Sequence, residues 1–139
     1  MYRRPVTIHF DQADPAGVLF FARLLEVAHR VYEGFVTDEL GTSWASWFRD
    51  ASVAVPIRRA EAIFEQPLRP GRSYDAEIRI TKIGESSFEV TTQFFDMEQG
   101  EPKRCAETRV THVFADLVRG AKVPIPSDIK ARMEAHFER

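Results

Sequence analysis

The chain has 139 residues, enough for one domain over residues 1–139, and its 44% hydrophobic content supplies material for a core. Nineteen basic and 21 acidic residues leave a formal charge of -2, with no basic block suited to a nucleic acid or an anionic membrane surface. A single cysteine, Cys105, excludes an internal disulfide framework and points to a reducing cytoplasm; "MYRRPVTIHF" has no apolar leader, and no run of about 18 apolar residues offers a membrane span.

Val6, Ile8 and Phe10 alternate with Thr7 and His9, which predicts a half-buried strand over residues 6–10. "DQADPAG" is a turn. From about Val18 the period becomes helical. Phe21, Leu24, Leu25, Ala28, Val31, Tyr32 and Phe35 recur every three or four residues, and Gly41 offers a left-handed stop after Leu40. "TSWASWFRD" is a connecting turn or short helix. Val53, Val55 and Ile57 share one parity of the next strand, where Pro56 predicts an edge position or a bulge. After the turn "PLRPGRS", Tyr74, Ala76, Ile78 and Ile80 alternate with Asp75, Glu77, Arg79 and Thr81. "GESS" closes a hairpin, and Phe88, Val90, Thr92 and Phe94 share the inward side of the strand that follows. Ala106, Thr108, Val110, His112 and Phe114 line one side of a last long strand, and Ile129, Met133, His136 and Phe137 fit one face of a closing helix. This order predicts an α+β fold in which an antiparallel β-sheet packs on one long α-helix. The edges and the outer face of such a sheet invite pairing with a second copy.

Asp14 is the residue that raises a question of chemistry. Pro15 biases it towards extended backbone and Gly17 permits a tight turn. "DPAG" therefore sets a carboxylate near the start of the long helix, where free N–H groups favour negative charge and bind oxyanions. Spacing alone leaves two readings, a cap or turn residue and a catalytic acid, with Asp11 as a competing carboxylate. Cys105, inside a strand pattern, reads as a small buried hydrophobe. His9, His29, His112 and His136 show no metal-ligand spacing.

Two stretches carry a resemblance. "FDQADPAGVLFFARLLEVAHRVYEGF" and "AVPIRRAEAIFEQPLRPGRSYDAEIRITKIGESSFEVTTQFF", in that order and across nearly the whole chain, resemble the sequence blocks of the 4-hydroxybenzoyl-CoA thioesterase branch of the hot-dog superfamily. "AVPI" and "AHRVYE" are most similar to its aryl-CoA members, 1,4-dihydroxy-2-naphthoyl-CoA thioesterases among them. The resemblance implies a hot-dog fold and hydrolysis of an aryl- or acyl-CoA thioester to free acid and CoA. Asp14 then stands for the catalytic carboxylate, as nucleophile or general base. Phe21 supplies the backbone N–H that polarises the carbonyl, although Tyr is common there, and Gly17 shapes the turn. Ser86 and Ser87 match the hairpin that contacts the CoA phosphates or pantetheine arm. This chain has Gly84-Glu85-Ser86 where some relatives carry a basic cluster, so Arg58, Arg59, Lys82 and Arg104 become candidates for phosphate contact.

CoA arrives as part of the substrate, so neither cofactor nor metal is implied. The resemblance also implies a homodimer, or a tetramer built as a dimer of dimers, with the active site at the subunit interface. No nucleic acid or membrane partner is implied. His29 is a candidate lining of the acyl pocket or an interface residue, and Glu33 a surface residue or a partner for a ring hydroxyl. Phe20, Phe21, Leu24, Leu25, Trp44, Trp47 and Phe48 supply either an aromatic-rich acyl lining or core. The alternatives are a short-chain acyl-CoA thioesterase and a non-catalytic acyl-CoA-binding module, which would keep the pocket without the acid. A hot-dog dehydratase needs a His paired with an acid, and Pro15, Ala16 and Gly17 follow Asp14 instead.

Overall fold

A computed structural model of the chain describes residues 1–43, 46–47, 53–98 and 100–138. Strands β1 (Tyr2–Val6), β2 (Ile57–Phe64), β3 (Tyr74–Ile83), β4 (Ser87–Asp96) and β5 (Lys103–Val113) form one antiparallel sheet in the order β1-β3-β4-β5-β2. Helix α1 (Leu24–Asp38) lies on one face of this sheet. A two-stranded ribbon, β6 (Ala115–Asp116) with β7 (Ala121–Lys122), and helix α2 (Ser127–Glu134) complete the chain.

The core is the seam between α1 and the sheet. The helix buries Leu24, Val27, Ala28, Val31, Tyr32, Phe35 and Val36, the three- and four-residue spacing of one face. The sheet meets it with the predicted inward parity: Tyr74, Ala76, Ile78 and Ile80 of β3, Phe88, Val90 and Phe94 of β4, and Ala106 of β5 are all buried. Each fully buried Leu, Ile or Phe contributes about 1.5–3 kcal/mol relative to exposure, so this seam is the main source of stability. Cys105 is buried as expected, and burial pushes its thiol pKa up.

The outer face carries charge, but not loosely. Glu77 and Glu107 are nearly buried there, bound by Arg3 and Arg79 and by Arg104 and Arg109 respectively, and Gln93 bridges Arg79 to Glu107. Thr81, the extra residue in a β3 bulge, donates to Glu89 at 2.6 Å.

The N-terminus departs from the expected strand over residues 6–10. β1 ends at Val6, Ile8 is buried in the connection, and Phe10 is 88% exposed in the short 3-10 turn Phe10–Gln12. The pairing of β1 is secured by side chains distant in sequence: Arg3 with Glu77, and Tyr2 and Arg4 both with Asp38, at 2.8 and 2.7 Å. Pro5 is tolerated because β1 is an edge strand. At the other edge, β2 carries the bulge expected near Pro56, a register shift between Ile57 and Arg59 that leaves Arg58 extra. The long helix stops at Asp38, and Gly41 takes the left-handed conformation with φ of 66°.

His112 of β5 is sandwiched between Tyr32, stacked at 4.4 Å, and Phe88, stacked at 5.0 Å. Burial, together with the neighbouring His29, pushes its pKa down from 6.5 to about 3. Between those values the unfolded chain binds a proton that the folded chain refuses, so stability rises with pH across this window. The contribution is intact above about pH 6.5 and lost as pH falls towards 3. Replacing His112 by Phe keeps an aromatic ring in the stack and removes the titration. Urea unfolding at pH 7 and pH 5 should show the wild type losing about 2 kcal/mol more than His112→Phe over that interval.

Candidate active site

Between β1 and α1 the backbone folds into a tight loop around Asp14. Ala13 and Leu19 form an antiparallel bridge, Asp14 N–H donates to Val18 C=O at 2.8 Å, and Gly17 N–H donates to Asp14 C=O at 3.0 Å. Gly17 has φ of 78°, which only glycine adopts without strain. The Asp14 carboxylate accepts at one oxygen, Oδ1, from Ala16 N–H at 2.9 Å and more weakly from Val18 N–H at 3.5 Å. Its Oδ2 makes no hydrogen bond among the described residues. The loop is tied to the rest of the molecule by Leu19 N–H to Leu68 C=O at 2.7 Å.

The expected helix start near Val18 is displaced. Residues 18–20 are non-helical, Phe21–Arg23 is a 3-10 turn, and α1 begins at Leu24. The loop needs Leu19 in extended pairing with Ala13, and that pairing overrides the helical pattern. Asp14 is therefore not the cap of the long helix. It caps its own loop, and the donors at the helix entrance are left over. Arg23 N–H makes the first bond of the 3-10 turn, to Phe20 C=O at 2.8 Å. Phe21 N–H and Ala22 N–H stand ahead of it with no acceptor among the described residues.

Gln12 is the positioning residue that sequence reasoning missed. It is buried; its side-chain oxygen accepts His9 N–H at 2.8 Å, and its C=O accepts Phe20 N–H at 2.9 Å, the residue that opens the 3-10 turn. A glutamine between two acids in "DQAD" gave no periodic signal. Asp11, the competing carboxylate, is exposed in the preceding 3-10 turn.

Asp14, Gly17 and Phe21 thus share one end of the fold. Beside them runs a mostly apolar groove of about 240 Å³, lined among others by Phe21, Phe64 and Leu68. Ser86, Ser87, Lys82, Arg58 and Arg59 cluster at the opposite end of the sheet. Ser86 and Ser87 form the β3–β4 hairpin, where Ser86 C=O accepts Phe114 N–H at 2.8 Å. Lys82, Glu89, Thr111 and Arg59 form one cross-strand row, and Arg58 bulges next to it. Lys82 and Arg59 are exposed and loosely paired with Glu89 and Glu61, whereas Arg104 is held by Glu65 at 2.5 Å. Within one chain β2 separates the two clusters. Phe64 pairs near the Asp14 end and Ile57 near the serines, a span of about 23 Å for seven residues.

The remaining candidates divide between core and surface. Leu24 and Trp47 are core, Phe20 and Phe21 are exposed in an edge-to-face pair at 5.1 Å, and Glu33 is exposed. Trp44 and Phe48 lie outside the described residues. Among the described residues no group of three His, Cys, Asp or Glu side chains is placed to hold a metal ion, and no helix is long and apolar enough to cross a membrane.

The thioesterase-like superfamily profile matches residues 8–133. A 1,4-dihydroxy-2-naphthoyl-CoA hydrolase of Crocosphaera subtropica is 34% identical over 107 residues, 77% of each chain. Among solved structures, a 1,4-dihydroxy-2-naphthoyl-CoA thioesterase from Synechocystis superposes with a TM-score of 0.86 at 21% identity, covering 95% of this chain and 94% of that one. A gentisyl-coenzyme A thioesterase superposes with a TM-score of 0.75 at 26% identity, covering 95% and 98%.

The loop makes its own prediction. A Cβ at Gly17 would meet nothing within 4 Å, so Gly17→Ala costs backbone strain alone, about 1 kcal/mol, read as a lowered urea midpoint. Gly17→Asn, which tolerates the left-handed region, should recover part of that loss.

Proposed function

The chain belongs to the thioesterase-like superfamily and has a hot-dog fold, and on that premise we propose that Asp14 is the reacting carboxylate in hydrolysis of an aryl- or acyl-CoA thioester to free acid and CoA. The observation that carries the reading is the division of labour at the entrance to α1. The Asp14 loop satisfies one carboxylate oxygen with its own N–H groups, and the donors of Phe21 and Ala22 remain unspent. A thioester carbonyl seated at Phe21 N–H would receive a fixed donor for its developing negative charge. One such donor is worth about 3 kcal/mol in hydrolases that depend on it.

Two routes use the same carboxylate. Asp14 Oδ2 attacks the carbonyl carbon, the C–S bond breaks with thiolate leaving, and water opens the resulting mixed anhydride. Alternatively Asp14 takes a proton from a water that attacks the carbon directly. Both consume one water and neither calls for a metal or a redox cofactor. The aryl end of the substrate range is supported by the relatives, whose names specify dihydroxynaphthoyl and gentisyl thioesters. The single cysteine, buried as a thiol, supports work in a reducing cytoplasm.

We infer further that the working unit is at least a dimer through β2. That strand is a sheet edge, unpaired on one side among the described residues, and it exposes Ile57, Ile63 and Phe64. Pairing β2 with its own copy across a two-fold axis would bring the Ile57 end of one chain to the Phe64 end of the other. The Ser86, Ser87, Arg58, Arg59 and Lys82 cluster of the second copy would then approach Asp14 and Phe21 of the first, bridging the span that separates them within one chain.

Thiol release measured over benzoyl-, naphthoyl- and straight-chain CoA esters tests the activity. Asp14→Asn should lower kcat at least about a hundredfold with the circular dichroism spectrum unchanged, and near-normal turnover by that variant would sink the assignment. Sedimentation should show the wild type as a dimer or larger assembly. Phe64→Glu, placing charge on the β2 edge, should shift it to monomer and abolish thiol release together.

A further inference from the structure

Beneath α1 lies a narrow cavity of about 100 Å³ whose walls are almost entirely apolar. Leu25, His29 and Tyr32 wall it from the helix, Ile57 from β2, and Thr108 and His112 from β5. Along β5 this lining runs from His112, stacked on Tyr32, to Thr108, four residues earlier on the same face of the strand and towards the other end of it. That other end is the catalytic one. β5 begins beside Phe64, which pairs with Ala106, and the loop that follows Phe64 holds Leu19 through Leu68. Leu25 is one helical turn beyond Phe21.

Thr108 is fully buried, and its Oγ1 has no hydrogen-bond partner among the described residues. An unpaired buried hydroxyl costs about 1–3 kcal/mol, and Val would fill the same space without that cost. Thr108 pairs across the sheet with Thr92 on one side and Ala62 on the other, and the fold draws no benefit from its hydroxyl. The described lining contains no Lys, Arg, Asp or Glu, and a neutral hydroxyl entering it would find a donor and acceptor in Thr108. His112, uncharged at neutral pH, adds no net charge at the far end. The volume is of the order of the roughly 150 Å³ apolar cavity that takes up benzene, which suits a flat ring better than a branched or charged group.

We propose that this cavity receives the acyl group of the substrate and that Thr108 Oγ1 hydrogen-bonds a hydroxyl carried on an aromatic ring, so that the site selects hydroxylated aroyl thioesters over unsubstituted ones. The assignment rests on the thioesterase reading for the identity of the ligand, and on the unpaired hydroxyl for the selectivity. It also reassigns the ring-hydroxyl contact from Glu33, which is exposed, to a residue that sequence periodicity files as core.

The test uses inert thioether analogues, phenacyl-CoA and its 2-hydroxy and 4-hydroxy ring derivatives, titrated calorimetrically into the wild-type protein and into Thr108→Val and Thr108→Ser. The wild type should bind at least one hydroxylated analogue about tenfold more tightly than phenacyl-CoA. Thr108→Val should lose that preference with its phenacyl-CoA affinity unchanged, and Thr108→Ser should keep it. Thr108→Val removes an unsatisfied polar group, so it should melt at or above the wild-type temperature, and a binding change cannot be ascribed to misfolding. No preference in the wild type, or a preference that survives in Thr108→Val, overturns the proposal. Thiol release from the matching thioesters, measured alongside, keeps the two readings apart. A Thr108-dependent preference without hydrolysis refutes the catalytic assignment and leaves the subsite standing, and hydrolysis without the preference does the reverse.

Discussion

The packing of one helix on one face of a five-stranded sheet is the contact on which the rest of this molecule depends. Leu24, Val31, Phe35 and their neighbours are held by the inward residues of β3, β4 and β5, and this fixes the axis and the starting point of α1. Because α1 cannot slide, the 3-10 turn ahead of it cannot slide either. Phe21 N–H is thereby held at a fixed position before any ligand arrives. Preorganised donors cost nothing to reorient during a reaction, which is the property that the oxyanion role proposed for Phe21 requires.

The Asp14 loop solves a second problem with few parts. A carboxylate next to unsatisfied helix donors would ordinarily bind them itself, and the site would be consumed by its own cap. Here the Ala13–Leu19 bridge and the left-handed Gly17 turn the chain so that Asp14 meets Ala16 and Val18 N–H groups instead. Gln12 closes the arrangement by holding both His9 and Phe20. The loop thus keeps the Asp14 carboxylate apart from the N–H groups of Phe21 and Ala22.

The sheet edge opens the molecule outwards. β1 is secured by ion pairs to Glu77 and Asp38, whereas β2 is left with apolar side chains and unpaired backbone groups. The same strand borders the groove at Phe21, the bulge at Arg58 and the cavity under α1. The Asp14 loop and the Ser86–Ser87 hairpin lie towards opposite ends of this strand, so association at that edge is what the proposed reaction needs to bring them together.

Much of this was legible in the order of residues. The period-two runs of β3, β4 and β5, the three-and-four spacing of α1 and the turn at "GESS" follow from local geometry and burial, and the structure keeps them except at Phe21, which is exposed ahead of α1, and at Leu25 and Val110, which are half-buried. The resemblance carried by "DPAG" and "IGESSF" pointed to the family. The first strand was misplaced because Tyr2, Arg3, Arg4 and Pro5 have no alternation to read; their order comes from partners at positions 38 and 77. The helix start was misplaced because the helical period at residues 18–20 is outweighed by backbone pairing with Ala13 and Leu68. Local sequence thus determined which elements form and which face each one buries, since periodicity and turn chemistry are properties of neighbouring residues. Only the tertiary structure decided that Asp14 caps its own loop, that the two candidate clusters lie at opposite ends of β2, and that Thr108 is buried without a partner, because each of these depends on which distant groups arrive to satisfy a hydrogen bond.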